Sequence, residues 1–240
     1  MKYYSIAIDG PAGAGKSTMA KQLAKQLGYL YVDTGAIYRT VGYHMSLMGI
    51  GPKDSDGIRR CIDDVAIDIR YGEDGLQHMI LNGVDVTDRI RTPEMSAMAS
   101  GVAAQPCVRS FLLDMQRDFA KTHNIVMDGR DIGTVVLPDA DVKIYLTASA
   151  EVRAKRRYDE LIAKGEKVRF EDVLSDMKQR DWQDMHREIA PLKQAEDAVV
   201  HVSRKLYQIV HGAGLIFSNF CDIYCNIIYK FINLLYMHDN

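Results

Sequence analysis

The strongest constraint on this chain is a glycine-rich run near its start. Gly10-Pro11-Ala12-Gly13-Ala14-Gly15-Lys16-Ser17-Thr18 follows an apolar stretch, Tyr3 to Ile8, and precedes a segment with helical periodicity, Met19 to Leu27. Strand, glycine-rich loop and helix in that order make a phosphate-binding loop. The glycines let the backbone turn so tightly that successive N–H groups point into one concavity. The helix beginning near Lys16 adds the positive end of its dipole. Lys16 is placed to reach the β- and γ-phosphates of a nucleoside triphosphate, and the Ser17 hydroxyl to ligate Mg²⁺.

The rest of the pattern predicts an α/β fold around that loop. Short apolar runs at Tyr3–Ile8, Leu30–Val32, Ile125–Met127, Val142–Leu146 and Ala198–Val202 alternate with amphipathic segments. Such alternation argues for a central parallel sheet flanked by helices. Ala20, Leu23, Ala24 and Leu27 line one face of the first helix, and Gly28 stops it. One stretch, about 63–91, breaks the pattern. Val65–Ile69, His78–Leu81 and Val84–Val86 are separated by Gly72-Glu73-Asp74-Gly75 and by Asn82-Gly83, which are hairpin signals. A small antiparallel insert is therefore expected. A second candidate mobile element, about 153–169, opens with Arg153, Lys155, Arg156 and Arg157 and contains Gly165.

Composition excludes several partners. A net charge of −2 provides no basic field for DNA or RNA. The N-terminal apolar run meets Asp9 too soon to be a signal peptide. Cys61, Cys107, Cys221 and Cys225 are scattered, so neither a disulfide framework nor a zinc site is implied, and a reducing cytoplasm fits.

The residues also narrow the phosphoryl chemistry. No Asn-Lys-x-Asp guanine reader is present. The apolar run Ile125-Val126-Met127 ends in Asp128-Gly129-Arg130-Asp131. Asp128 can order Mg²⁺, but no glutamate follows it to prepare a hydrolytic water; an arginine stands there instead. Transfer to a bound anionic acceptor is favoured over hydrolysis, because phosphoryl transfer is mostly positioning and charge neutralisation. Arg39 and Arg130 each follow a strand, on the side where α/β sheets bind ligands. Arg180, Asp184 and Arg187, spaced i, i+4, i+7, share one face of a helix. That face reads equally as an exposed salt-bridge ladder. Trp182, on the same helix, reads as packing.

At this point the chain resembles the bacterial-type cytidylate kinases. The resemblance rests on Ile6–Thr18, Tyr31–Arg39, Ile90–Arg109, Met127–Ala140, Val142–Leu146 and Arg180–Leu192, and covers about 3–200 in order. Its most specific strings are Asp33-Thr34-Gly35-Ala36-Ile37-Tyr38-Arg39, Asp128-Gly129-Arg130-Asp131-Ile132-Gly133-Thr134-Val135-Val136 and Ala190-Pro191-Leu192. It implies a P-loop nucleoside monophosphate kinase over about 1–205 that uses ATP and CMP or dCMP with Mg²⁺. The insert would be the monophosphate-binding domain and 153–169 a helical lid. By position, Lys16, Asp128 and Arg130 would be catalytic, with Ser17 and Asp128 on the metal. Tyr38, Arg39 and Arg130 would meet the acceptor phosphate, and Thr34 would be among the substrate-binding residues. Ser100, Arg109 and Asp131 would read the cytosine, a role that composition and spacing alone do not reveal. Arg180 and Asp184 would contact the sugar, with Arg187 nearby. The phosphate loop from Gly10 to Thr18, with Arg153 and Arg157, would hold ATP.

The family pattern stops after Val200. A tail, 206–240, follows in which only Asp222, Lys230 and Asp239 are charged. Asn219, Asp222, Asn226, Lys230 and Asn233 form one polar stripe on an otherwise apolar helical pattern. Asp222 and Lys230 argue against a spanning helix, and the stripe lacks the basic cluster of a membrane-surface helix. A helix docked on the protein or on a partner is expected. The chain is expected to be a monomer, with the tail as the element able to mediate association.

Overall fold

The computed structural model describes residues 2–73 and 75–203. The first elements are β1 (Ser5–Asp9), α1 (Lys16–Leu27), β2 (Leu30–Asp33), α2 (Thr34–Leu47) and α3 (Ser55–Cys61). The insert follows as β3 (Ile67–Tyr71), β4 (Gln77–Leu81) and β5 (Val84–Asp85), and then α4 (Pro93–Val102) and α5 (Pro106–Thr122). The chain continues through β6 (Ile125–Gly129), β7 (Val142–Thr147), α6 (Ala150–Ala163), α7 (Phe170–His186) and β8 (Val199–Val202). Five strands form a sheet in the order β2-β6-β1-β7-β8, and every pairing is parallel.

Alternation along each strand divides two cores. Ala7, Val32, Ile125 and Met127 face Ile37, Val41 and Met45 of α2 and Val108 and Leu112 of α5. Ile6, Ile8, Val126 and Ile144 face Ala20, Leu23 and Ala24 of α1. A one-residue slip would exchange these sets, so burial on both faces pins the register. That register matters for the site. Asp9 pairs with Gly129 and Asp33 with Asp128, so the segments after β1, β2 and β6 leave the sheet side by side at its C-terminal edge. Gly10, at φ +146°, passes so close to β7 that a Cβ would stand 1.9 Å from the Leu146 carbonyl oxygen. Only glycine permits that exit.

The antiparallel insert is present. β3, β4 and β5 form their own sheet, and Asn82 (φ +49°) with Gly83 (φ +83°) makes the expected turn. Its contact with the main sheet was not legible in the pattern. The Gln77 amide accepts from Asp33 N–H (2.8 Å) and donates to the Asp33 carbonyl (3.3 Å), while the Tyr71 hydroxyl donates to the Tyr31 carbonyl (2.9 Å). Side chains of the insert thus satisfy the outer edge of β2.

Helices α6 and α7 pack through Ala154, Leu161 and Val173, with Tyr158 and Phe170 edge to face at 6.0 Å. The expected lid, 153–169, is most of α6 plus the loop that joins this pair. Among the described residues no helix is long and apolar enough to cross a membrane. The expected helix in 206–240, with its polar stripe, lies outside the described residues.

Candidate active site

Residues of the phosphate loop, with Arg39, Ser100, Arg180, Asp184 and Arg187, border one open cleft of 1910 Å³. Lys16, only 6% exposed, donates to the Pro11 carbonyl at 2.9 Å. Burial and Arg130 push its ammonium below the ordinary lysine range, against Asp128, Asp9 and Asp184. A buried ammonium under that pressure is completed by an anion. Ser17 Oγ donates to Asp128 Oδ2 at 2.9 Å, and the Tyr31 hydroxyl donates to Oδ1 at 2.9 Å. Burial and Asp33 push the Asp128 carboxyl above its usual range. This hydroxyl and carboxylate are hard oxygen donors, suited to a cation that takes its remaining ligands from phosphate and water.

Beside the loop lies a cluster with too few anions. Arg39, on α2, pairs with Asp33 at 3.0 Å, and Arg130, past β6, pairs with Asp184 of α7 at 2.8 Å. Arg180 projects from α7 into the same region. The Nε atoms of Arg39 and Arg180 are buried with no hydrogen-bond partner. Burial and Arg130 push Arg180 down to about 10, with Arg39 adding to the effect and Asp184 opposing it. Burial pushes Asp184 up, yet Arg130, Arg180 and Arg187 outweigh it and hold the carboxyl low. Three guanidiniums share two carboxylates, Asp33 and Asp184, and two of the three keep unused donors, so the cluster calls for a further anion.

A second polar group lies deeper. Arg109, from α5, pairs with Asp131 Oδ2, and Arg187 donates to Oδ1 at 3.1 Å. Arg109 also donates to the Ala103 carbonyl at 3.1 Å, and its guanidinium stands 5.8 Å from the Tyr38 ring centre. Burial pushes the Tyr38 phenol up. Ser100, on α4, borders the cleft. Thr34 is buried and does not line the cleft, its hydroxyl donating to the Asp128 carbonyl at 2.7 Å.

Two expectations need correction. Arg187 is not on the α7 face with Arg180 and Asp184. The helix ends at His186, and Arg187 (φ −62°, ψ 142°) turns to join Asp131 instead. Its Nε donates to the carbonyl of Ala190, a residue at φ +49° that reverses the chain before Pro191. Trp182 is not packing: it is 62% exposed and stacks on His186 at 4.6 Å. It borders the cleft.

The two expected lid arginines differ. Arg153 is buried, donating to the Ala12 and Ala148 carbonyls (3.0 and 2.8 Å) and pairing doubly with Asp181. Arg157 is more open and pairs with Glu160 at 3.3 Å. Arg156, which the sequence marked as one of the basic residues of 153–169 without a role, donates to the Gly13 carbonyl at 3.3 Å and to Ser203. Spacing and composition missed Asp181, and Asp9, whose carboxylate accepts from Ile132 N–H and Gly133 N–H (2.8 and 2.7 Å). Asp9 ends the apolar first strand, and only that position gave a signal.

Hydrolytic P-loop sites prepare a water. This cleft instead sets unpaired arginine donors beside the phosphate loop, which marks a P-loop phosphotransferase with an anionic acceptor. The comparisons give the family. A cytidylate kinase family model matches residues 6–211. A cytidylate kinase of Caldicellulosiruptor saccharolyticus is 50% identical over 206 residues, covering 86% of this chain and 91% of its own. One from Caldicellulosiruptor bescii is 52% identical with the same coverage, and one from Bacteroides fragilis is 50% identical, covering 83% of this chain and 89% of its own. The chain belongs to the cytidylate kinase family. The match runs beyond Val200, where the residue-level resemblance stops.

Proposed function

We propose that the protein transfers the γ-phosphoryl group of ATP to CMP or dCMP, giving CDP or dCDP. The observation that carries this reading is the arginine cluster of Arg39, Arg130 and Arg180, with its two unpartnered buried donors, beside Lys16. A nucleotide phosphate supplies the missing anion. The N–H groups of the loop and Lys16 hold the donor's β- and γ-phosphates, while Arg39 and Arg130 hold the acceptor phosphate in line with them. Lys16 and Arg130 then neutralise charge on the transferring group, and no strong base is needed. Mg²⁺ would be held through Ser17 and Asp128, where it neutralises phosphate charge. Arg180 and Asp184 reach the sugar. The proximity of Arg180 to Arg130 and Arg39, whose charges repel its own, also puts it within the field of the acceptor phosphate.

Base choice belongs to Asp131, Arg109 and Ser100. A carboxylate accepts from the cytosine N4 amine, while a guanidinium and a hydroxyl donate to N3 and O2. Each Asp131 oxygen keeps a lone pair after its arginine bond. Closure of the insert and of the α6–α7 lid over the two nucleotides excludes water. The reaction is placed in a reducing cytoplasm, with the chain acting as a monomer. Steady-state assays over CMP, dCMP, UMP and AMP test the reading. CMP should exceed UMP by about 100-fold in kcat/KM, because uracil leaves buried polar groups unpaired. Equal rates with both would overturn it.

A further inference from the structure

The segment after Asp131 has no part in the chemistry proposed above, yet charged side chains hold both of its ends. Ile132–Val136 forms a single turn of π-helix. Such turns are rare and gather at functional sites. The Asp131 carbonyl accepts from Val135 N–H (2.9 Å) and Val136 N–H (3.1 Å), and the Ile132 carbonyl accepts from Leu137 N–H (2.7 Å). The turn therefore grips the backbone of Asp131.

At its N-terminal end, Asp9 accepts from Ile132 and Gly133, as described. At its C-terminal end, Arg117 of α5 donates through Nε to the Val136 carbonyl (3.0 Å) and through Nη2 to the Val135 carbonyl (3.1 Å). A carboxylate on free N–H groups and a guanidinium on free carbonyls are the stabilising signs for the two ends of a helical turn. The fit is close: a Cβ on Gly133 would lie 3.1 Å from Lys143 Cδ and 3.4 Å from Asp9 Oδ2. Arg117 shares its helix with Arg109, whose guanidinium meets Asp131. One guanidinium of α5 thus holds the turn that carries Asp131, while another contacts the Asp131 carboxylate.

We infer that Asp9 and Arg117 are positioning residues that set the base-reading geometry of Asp131 and Arg109 and so determine acceptor specificity. The inference rests on the proposed role of Asp131 and Arg109. It makes the turn a fixed plinth, clamped from β1 on one side and α5 on the other. Arg117 lies apart from the phosphate loop and gives the cleaner variant.

The test compares Arg117→Met, Arg117→Lys and Asp9→Asn with wild type. It reads KM for CMP and for ATP, the CMP-to-UMP ratio of kcat/KM, and amide exchange at Ile132, Gly133, Val135 and Val136. Arg117→Met should raise KM for CMP and lower the CMP-to-UMP ratio, each about tenfold, with KM for ATP within about twofold. Its turn amides should exchange faster. Arg117→Lys, which can still donate to a carbonyl, should recover part of the ratio. A variant that melts earlier but keeps wild-type KM and ratio would reduce Arg117 to a structural role and overturn the inference. A parallel rise in KM for both substrates would overturn it as well. If Arg117→Met fails to fold, Arg117→Lys and Asp9→Asn carry the same measurements. A wild type that does not prefer CMP would defeat the proposed function instead. The positioning role would then be judged by the split between acceptor and ATP KM on the acceptor it prefers, together with the amide exchange.

Discussion

Arg180 should cost the protein stability while serving its substrate, so replacing it should move the two in opposite directions. Its guanidinium is held down to about 10 by burial and by Arg130 and Arg39, and its Nε has no partner. Taken whole, the fall from the ordinary guanidinium range to about 10 corresponds to about 3 kcal/mol. Water at the mouth of the cleft screens part of this, and about 1–2 kcal/mol is the expected net penalty. At pH 7 the guanidinium is protonated both folded and unfolded, so the penalty is fully present; it is relieved only as pH rises through about 10. Arg180→Met removes the charge and the unpaired donor and leaves Asp184 paired with Arg130. Without nucleotide, Tm should rise by about 2–8 °C in a domain of this size. With CMP as acceptor, kcat/KM should fall by about 100-fold or more. Scanning calorimetry and a coupled ADP-release assay read the two quantities. A lower Tm with unchanged kcat/KM would refute the argument that this cluster is built around an absent anion.

Three further outcomes are expected. Lys16→Ala should abolish turnover and Arg130→Ala should lower kcat by at least about 100-fold, since each removes charge from the transferring group; near-normal kcat in either variant would show the phosphate site misplaced. ATP hydrolysis without an acceptor should stay below about 1% of the kinase rate, because Arg130, not a glutamate, follows Asp128-Gly129; fast hydrolysis would mark an ATPase. Burial lifts the Asp9 carboxyl to about 6 in the fold, so its contribution to stability is present at low pH and is lost as pH rises through about 6. Denaturant titrations should therefore show the stability of wild type falling relative to Asp9→Asn by about 2 kcal/mol between pH 4 and pH 7, and a constant difference would count against that assignment.

The legible parts of this protein are those whose cause is local. The phosphate loop could be read because Gly10 to Ser17 act within a few residues of one another and the loop geometry needs those residue types in that order. The strands could be read because burial on both faces demands apolar runs, and Asn82-Gly83 announced its hairpin through the left-handed backbone that turn needs. The proposed acceptor site was only partly legible. Spacing brought Arg180 and Asp184 together, but it could not choose between a surface ladder and a ligand site. Arg109, Asp131 and Ser100 came into view only through resemblance to a family.

What remained hidden depends on contacts between distant segments. Asp9 reads as the end of a strand, yet its partners are backbone N–H groups 123 and 124 positions away. Gln77 reads as one polar residue in an insert, yet it seals the edge of β2 at Asp33, 44 positions back. Arg187 reads as the next turn of a helix, but the chain breaks there and delivers it to Asp131. Side-chain type and local spacing set which segments could become strand, loop or helix. The parallel register of β1 with β6 set which of their ends would meet, because a side chain's partner depends on the strand order β2-β6-β1-β7-β8 and not on its neighbours in the chain.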